Sequence, residues 1–383
     1  MSNFSNLGLK EWVVDGLAQL GITEPTEIQE KTIPEALAGR DVIGQAPTGS
    51  GKTVAFGAPM ASLLERARQP KSPTGLVLVP TRELALQVAK ALTSYAKGKL
   101  RVLAVYGGTP YGPQFRRLAE GVDTVVATPG RLIDLLDRRQ VLLDKVAIVT
   151  VDEIDRMSDM GFAPALEEIL SSLPERVQTL FFSATLDSSI RRMTQRYQQD
   201  PVTVEVVVES RPVEHRFLRV GRYEKAQETS KLIAGNGRTI VFCNTREQVE
   251  RLDRELVDQG IVSVQVHGGR SQQQRERAIR RFTGDKADAL IATDVAARGI
   301  HVDAVELVVH FDIPNSYTDY LHRSGRTGRA GRSGLVVALV GDSDRGRASR
   351  IERMLNGERG PSEQRFRSGP RGRYAGRDRM GSR

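Results

Sequence analysis

The sequence predicts an α/β protein of two domains, each a parallel β-sheet flanked by helices. Short β-branched runs alternate with longer stretches of helical spacing through most of the 383 residues. The apolar runs are continuous, which is typical of strands buried on both faces of a parallel sheet. The chain is also long enough for two domains of ordinary size, and its 39% hydrophobic and 27% charged residues are typical of a globular protein.

The first half is predicted to contain six strands separated by helices. These strands are expected at residues 41–44, 76–79, 102–106, 124–127, 146–151 and 179–182. Helical spacing is clearest over residues 82–95 and 163–173. The second half repeats the rhythm without a residue-level repeat, with strands expected at 216–220, 238–242, 262–266, 289–292, 305–311 and 334–340.

The joint between the domains is predicted at residues 205–213. The apolar run 202–208 closes the first pattern, and Ser210-Arg-Pro212 interrupts it before the next strand. We therefore expect a first domain at 1–204, a linker at 205–213 and a second domain at 214–356. Residues 357–383 are rich in Gly and Arg with almost nothing apolar to bury, so this tail is expected to be disordered.

Positive charge is concentrated at the C-terminal end. The formal net charge is +9, and residues 359–383 hold eight arginines against Glu363 and Asp378, a net charge of +6. A basic end on a nearly neutral body predicts a polyanionic partner.

The sequence contains no continuous apolar run of about eighteen residues, so no membrane span is predicted. The first residues lack the pattern of a signal peptide. A single cysteine, Cys243, excludes an internal disulfide framework and a Cys-rich zinc site, and a reducing cytoplasm is the expected setting.

The strongest local signal is a candidate phosphate-binding loop. Ala46-Pro-Thr48-Gly49-Ser50-Gly51-Lys52-Thr53 follows a predicted strand and opens a predicted helix, as such a loop requires. The two glycines allow the backbone N–H groups to point at phosphate oxygens, and the helix N-terminus adds partial positive charge. Lys52 can reach the β- and γ-phosphates, and the Thr53 hydroxyl can hold Mg²⁺. The alternative is a Gly-rich turn before an ordinary helix.

Acidic residues follow the predicted strand at 146–151. Asp152-Glu153-Ile154-Asp155 begins where this strand ends. A carboxylate at the end of a neighbouring parallel strand is well placed to meet a metal held by the loop. We expect Asp152 to hold Mg²⁺ through water and Glu153 to orient or deprotonate the attacking water. Without the loop, the same cluster would equally fit a solvated helix cap.

Taken together, the motifs resemble those of the DEAD-box ATP-dependent RNA helicases over about residues 4–340. The first half carries the family's motifs in order: Gly21-Ile-Thr-Glu-Pro-Thr-Glu-Ile-Gln29, the loop at 46–53, Pro80-Thr-Arg-Glu-Leu84, Gly107-Gly108, Thr128-Pro-Gly-Arg131, Asp152-Glu-Ile-Asp155 and Ser183-Ala-Thr185. The second half continues with Ile240-Val-Phe-Cys-Asn-Thr245, Gln274-Arg-Glu-Arg277, Ala292-Thr-Asp-Val-Ala-Ala-Arg-Gly299 and His322-Arg-Ser-Gly-Arg-Thr-Gly-Arg329. The resemblance implies two RecA-like domains with an ATP site between them.

The resemblance also assigns roles at the nucleotide. Gln29, with Thr26, would read adenine, since an amide can donate to N7 while accepting from N6. The remaining candidates for nucleotide contact are Phe4, Ile22, Gly299 and His301, and for Phe4 a small core anchor is the open alternative. Arg326 and Arg329 would be arginine fingers from the second domain, which makes hydrolysis conditional on closure of the cleft.

Further motifs imply an RNA groove. The backbone contacts would come from Pro80, Thr81, Arg82, Gly108, Thr128 and Arg131 in the first domain and from Arg277 and Thr293 in the second. Contacts to phosphates and 2′-hydroxyls would favour RNA without reading its sequence. Ser183, Thr185 and His322 would couple the ATP site to the domain contacts.

Two positions depart from the family pattern. Ile154 replaces the usual Ala of the acidic motif, and His301 stands where an Asp usually contacts ribose. The predicted function is an ATP-dependent RNA helicase that separates RNA duplexes locally or remodels RNA–protein complexes. Two alternatives stay open: an ATP-gated RNA clamp with little unwinding, and a DNA helicase of the same superfamily. A GTPase is disfavoured because no Asn-Lys-x-Asp motif occurs.

Overall fold

The computed structural model describes residues 3–47, 49–206, 213–221, 223–294, 305–328 and 333–356. Four site candidates, Thr48, Gly299, His301 and Arg329, lie outside these residues, as do most of the predicted linker and the whole predicted tail. No helix in the described ranges is long and apolar enough to cross a membrane.

The first half forms a seven-stranded sheet in which every strand pair is parallel. Its order is β3-β4-β2-β5-β6-β1-β7. The strands are β1 (Val42–Gln45), β2 (Gly75–Leu78), β3 (Val102–Val105), β4 (Thr124–Ala127), β5 (Ile148–Val151), β6 (Gln178–Ser183) and β7 (Val202–Glu205).

Helices cover both faces of this sheet. They are α1 (Glu11–Gln19), α2 (Glu27–Leu37), α3 (Lys52–Leu63), α4 (Arg82–Ala96), α5 (Tyr111–Ala119), α6 (Pro129–Asp137), α7 (Ile154–Asp159), α8 (Ala163–Ser171) and α9 (Ser188–Tyr197), with a 3₁₀ turn at Phe4–Leu7. Successive residues of β2 belong to opposite cores, Leu76 and Leu78 to one and Val77 to the other. Burial on both faces explains why the strand reads as a continuous apolar run.

The second half forms a six-stranded parallel sheet with the order β10-β11-β9-β12-β13-β8. The strands are β8 (Glu214–Arg219), β9 (Thr239–Cys243), β10 (Ser263–Val266), β11 (Ala289–Thr293), β12 (Leu307–His310) and β13 (Leu335–Val340). The helices are α10 (Lys225–Asn236), α11 (Arg246–Asp258), α12 (Gln272–Thr283), α13 (Tyr317–Ser324) and α14 (Arg345–Leu355), with a 3₁₀ turn at Asp342–Asp344. The expected fold class of two parallel sheets flanked by helices is confirmed.

The topology brings the motifs to the carboxyl edge of the first sheet. The loop at 46–51 follows β1, Asp152 follows β5, and the Ser183 segment ends β6. Strand β6 lies between β5 and β1, so these three segments are neighbours at one edge. Ligands of open α/β sheets bind outside the carboxyl ends of the strands, which makes this edge the candidate site.

Candidate functional site

The phosphate-binding loop is held in shape by two glycines and a lysine. Gly49 and Gly51 have φ values of 87° and 95°, in the left-handed region that a side chain disfavours. Lys52 begins α3, is 7% exposed, and donates from Nζ to the Ala46 carbonyl over 2.7 Å. The ammonium group therefore lies within the curl of the loop, where a phosphate would replace the carbonyl as its partner.

Helix α2 is tied to this loop at its N-terminus. Gln29 donates from Nε2 to the Gly51 carbonyl over 3.0 Å and accepts from the Thr26 N–H over 2.9 Å. The Thr26 hydroxyl donates to the Ser50 carbonyl over 2.8 Å. These bonds leave the Gln29 amide one hydrogen and one lone pair, the number that a bidentate contact to adenine needs. Gln29 thus stabilises the phosphate-binding loop in addition to its predicted contact with adenine.

Asp152 and Glu153 are both buried, with 3% and 8% exposure, but their environments differ. Burial raises the pKa of the Asp152 carboxyl to about 7, against the opposing effect of Lys52. Burial would also raise the pKa of Glu153, but Arg156, then Lys52, and finally Arg326 bring it down to about 2. Arg156 Nη1 lies 2.7 Å from Glu153 Oε2, so the carboxylate is held ionised in a fixed orientation.

The last residue of the acidic motif connects it to the Ser183–Thr185 segment. Asp155 Oδ2 accepts from the Ala184 N–H, the Thr185 N–H and the Thr185 hydroxyl over 3.1, 3.1 and 3.3 Å. The Ser183 hydroxyl donates to the Thr185 carbonyl over 2.6 Å. Asp155 therefore ties the acidic motif directly to the end of β6.

Two residues of the second half face these carboxylates. His322, near the end of α13, has its pKa lowered by burial, while Asp155 raises it and Arg156 lowers it. Arg326 is 7% exposed and stabilises the charge of Glu153. Behind them, Arg323 makes a two-atom contact to Asp294, at 2.6 Å for each nitrogen, which fixes α13 to the end of β11. Arg326 and His322 of the second half therefore lie beside the acidic motif of the first half.

The candidate RNA contacts of the first sheet lie along its carboxyl edge. Thr81 caps α4 by accepting from the Leu84 N–H over 3.3 Å, and Pro80 is buried beside it. Gly108, with φ 76°, is exposed and lies against the Arg82 guanidinium, since a Cβ there would be 2.3 Å from Arg82 Nη1. Thr128 is the half-buried N-cap of α6.

Arg131 differs from the other RNA candidates because it is only 6% exposed. Its guanidinium stacks 4.2 Å from the Tyr111 ring centroid and donates from Nη2 to the Thr109 carbonyl over 3.0 Å. Arg131 thus supports the loop that presents Gly108. A contact of Arg131 with the RNA backbone stays a prediction.

In the second half, Arg277 is exposed on α12, and Thr293 ends β11 half-buried. Two residues before Arg277, Arg275 reaches the first half: its Nη2 lies 2.8 Å from Glu83 Oε1, and both side chains are 12% exposed. Arg277 therefore lies two residues from a contact that joins α12 to the first half of the chain.

Two aromatic or apolar candidates have different surroundings. Phe4 is 1% exposed and belongs to the hydrophobic core with Leu17 and Ile28, which matches its core-anchor alternative. Ile22 is half-buried and packs against the same core.

Sequence reasoning missed Arg156, Glu83 and Arg275. Arg156 lies three residues after Glu153 on one helix, a spacing that favours an ion pair and could have been noticed. The other pair joins residues 192 positions apart in sequence. No local signal in the sequence reports such a contact.

A phosphate loop, a buried carboxylate pair and an arginine from a second parallel-sheet domain define a nucleoside triphosphatase with a composite site. Family models for the DEAD/DEAH box helicase and the helicase conserved C-terminal domain match residues 26–193 and 224–331. The chain belongs to the DEAD-box helicase family, and its class of activity is that of an ATP-dependent RNA helicase.

Curated relatives agree with this assignment. The ATP-dependent RNA helicase CshA of Listeria monocytogenes is 40% identical over 346 residues, 89% of this chain and 66% of the relative. The DEAD-box ATP-dependent RNA helicase CshA of Bacillus cereus is 38% identical over 359 residues, 92% of this chain and 68% of the relative. The chain spans about two thirds of the length of these relatives.

Solved structures also agree with this assignment. The structure of S. cerevisiae Dbp5 bound to RNA and ADP BeF3 has a TM-score of 0.82 at 27% identity, covering 94% of this chain and 95% of that one. A DEAD box protein from Methanococcus jannaschii is 34% identical but has a TM-score of 0.56, at 92% and 97% coverage.

Proposed function

We propose that this chain hydrolyses ATP at the composite site and uses closure around RNA to separate short duplexes or remodel RNA–protein complexes. The observation that carries the proposal is the position of Arg326, which follows α13 in the second domain and stabilises the charge of Glu153 in the first. A guanidinium at this place would stabilise the charge that develops on the transferred phosphoryl group. Turnover would then depend on the two domains being together.

We assign the nucleotide contacts as follows. Lys52 and the loop glycines bind the phosphates, Gln29 and Thr26 hold the adenine side of the loop, and Glu153 orients the attacking water. The low pKa of Glu153 favours orientation over proton abstraction, because a strong general base would have a pKa near the working pH. Arg329, Gly299 and His301 keep their predicted roles as contacts from the second domain.

The donor set fits Mg²⁺. Within the described ranges no group of three or more His, Cys, Asp or Glu side chains is arranged to hold a metal ion. Mg²⁺ does not need such a group, since it is typically bound by one or two carboxylates together with substrate phosphates and water. Asp152 and the Thr53 hydroxyl would hold it, and the ion would supply charge neutralisation at the phosphates.

For RNA, we assign contacts to the RNA backbone to the exposed or half-exposed candidates around the cleft, Arg82, Gly108, Thr128, Arg277 and Thr293, and to Thr81, which is 8% exposed. Hydroxyls, arginines and helix N-termini suit phosphates without reading bases. Pro80 and Arg131 would shape this surface from beneath. Ser183, Thr185 and His322 would couple it to the ATP site. A cytoplasmic setting remains part of the proposal, since Cys243 is a buried free thiol.

The proposal is tested by measuring ATP turnover with no nucleic acid, with single-stranded RNA and with DNA of the same sequence. We expect RNA to stimulate turnover and DNA to do so weakly or not at all. Displacement of a labelled strand from a short RNA duplex should then require ATP, whether the ATP is hydrolysed or only tightly bound. Equal stimulation by DNA would contradict the RNA assignment, and stimulation without strand displacement would indicate a clamp.

A further inference from the structure

Helix α12 runs from the cleft to the opposite end of the second sheet, where the strands begin. It follows the carboxyl end of β10, and near its start Arg275 contacts Glu83 of the first half over 2.8 Å. Tyr106 of the first half is close enough for Glu276 and Arg82 to act on its pKa. Beyond the end of the helix, Asp285 lies 3.4 Å from Arg238, which precedes β9. With about 1.5 Å rise per residue, the helix covers roughly 18 Å between these points.

The solvent-facing side of α12 is strongly basic. Ala278 and Phe282 are buried in the core of the second domain, while Arg277, Arg280 and Arg281 are exposed on the other side. In the part of the chain that the structure describes, no ion pair involves Arg277 or Arg281. Arg280 has only a long contact to Glu276, at 3.9 Å.

This arrangement of charges destabilises the helix. Arg277 and Arg281 are four residues apart, a spacing at which like charges lie next to each other and destabilise the helix. Packing does not require the charges, because these side chains are exposed. Three arginines along one face do suit a polyanion, which gains affinity from each charge it contacts.

We propose that this face, formed by Arg277, Arg280 and Arg281 and called the α12 ridge below, binds the phosphate backbone of RNA that extends out of the cleft. The proposal rests on the proposed function, because the cleft must hold RNA for a flanking segment to reach the helix. The ridge begins where Arg275 meets the groove edge, so an RNA strand leaving the groove passes directly onto it. An acidic protein surface would also fit the charge, but nothing in the molecule leads such a partner from the cleft to this helix.

The test uses the full chain carrying Arg280→Gln and Arg281→Gln together. Neither residue belongs to the ATP site or to the proposed groove, and glutamine preserves helix propensity. The matched control is Arg251→Gln with Arg254→Gln on α11, where both arginines are also exposed. Helix α11 packs on the opposite face of the sheet, since its core contacts include Val241 whereas α12 shares a core with Ile240.

Binding is measured by anisotropy with labelled oligouridylates of increasing length at several salt concentrations. With long RNA, the ridge variant should lose affinity, and its slope of log K against log salt should be shallower by about 1.4, as expected for two lost contacts to a single strand. The shortest oligomer that stimulates the wild-type ATPase should bind wild type and variant equally. Each single substitution should give about half the change in slope.

Three results would overturn the proposal: an unchanged slope with long RNA, an equal change in the α11 control, or an equal loss with the shortest oligomer. The thermal midpoint and the Michaelis constant for ATP should match those of wild type, because the altered side chains are exposed. If no RNA stimulates the wild-type ATPase, the proposed function itself fails, and this is seen before any variant is compared.

Discussion

Glu153 is the residue on which the chemistry of the site converges. Its backbone lies in the left-handed region at φ 53°, which costs a non-glycine residue about 1 kcal/mol or more. The side chain is fixed by the 2.7 Å ion pair to Arg156 and feels the charges of Lys52 and Arg326. The strained backbone and the ion pair together fix one orientation of the Glu153 carboxylate, which is the group that we propose orients the attacking water.

We expect Glu153→Gln to abolish ATP turnover at saturating RNA while leaving ATP binding nearly intact. The amide keeps the shape of the side chain but loses the negative charge that orients the water. Turnover is measured by phosphate release and binding by a fluorescent ATP analogue. Glu168→Gln on the exposed side of α8 is the control and should behave as wild type. Wild-type turnover in Glu153→Gln would remove this residue from the reaction.

At the residue scale, the sequence indicated which residues are candidates for the site, but it did not indicate their protonation or burial. Lys52, Asp152 and Glu153 follow from a loop and an acidic run at the ends of predicted strands. Their opposite pKa shifts do not, because those depend on which of two neighbouring carboxylates is closer to Arg156 and Arg326. The burial of Phe4 and Arg131 is likewise a property of packing that no local pattern reports.

Between elements, the N-terminus of α2 is joined to the phosphate-binding loop through one side chain. Gln29 completes a capping box with Thr26 and reaches the Gly51 carbonyl with its other end. A Cβ at Gly51 would lie 2.3 Å from Gln29 Nε2, so glycine is needed for the contact as well as for the turn. The shape of the loop therefore depends on a side chain 22 residues before Gly51, at the N-terminus of α2.

We expect Gln29→Glu to raise the Michaelis constant for ATP by about tenfold. The carboxylate still accepts from Thr26 but cannot donate to Gly51, and it places negative charge beside a carbonyl and the phosphates. The measurement is ATP turnover against ATP concentration at saturating RNA, with Glu30→Gln on the same helix as control. An unchanged Michaelis constant would show that the tie does not affect the loop.

In the second domain, a buried chain of aromatic and polar side chains supports α13. His310 is fully buried and stacks on Tyr320 at 4.4 Å between ring centroids, with Nε2 3.2 Å from the Ser324 hydroxyl. Tyr320 is also 2.8 Å from His215 Nδ1. Burial, followed by Arg323 and His215, holds the pKa of His310 well below its ordinary value of 6.5.

This burial predicts a pH-dependent stability. The unfolded chain takes up a proton at His310 near pH 6.5, whereas the folded chain does not. The contribution is therefore complete above about pH 6.5 and is lost progressively as the pH falls below it. His310→Phe, which keeps the ring, should flatten the decline in unfolding free energy between pH 7 and pH 5, measured by urea titration and circular dichroism. An identical slope in wild type and variant would contradict the assignment.

The elements themselves were largely predictable. The strand expected at 124–127 is found at Thr124–Ala127, and that expected at 238–242 is found one residue later, at Thr239–Cys243. The strand expected at 146–151 begins two residues late, at Ile148–Val151. The helix expected to reach residue 173 ends at Ser171, where the Ser172 hydroxyl bonds back to the Ile169 carbonyl over 2.7 Å. Hydrophobic pattern sets the element, and local hydrogen bonds set its ends.

At the scale of the whole molecule, two contacts join the halves of the chain near the candidate site. Glu83 meets Arg275 at 2.8 Å, and Arg326 acts on Glu153. Resemblance to a helicase family predicts that the domains meet, but only the folded chain identifies the pair Glu83–Arg275.

The central claim is that ATP is hydrolysed only when the second domain completes the site. The most direct measurement is ATP turnover of Arg326→Ala at saturating RNA, together with its ATP affinity and with exposed Arg345→Ala as the control. We expect turnover to fall by on the order of a thousandfold, while ATP affinity changes little because the phosphate loop is intact. Turnover close to wild type in Arg326→Ala would show that the first domain hydrolyses ATP without the second.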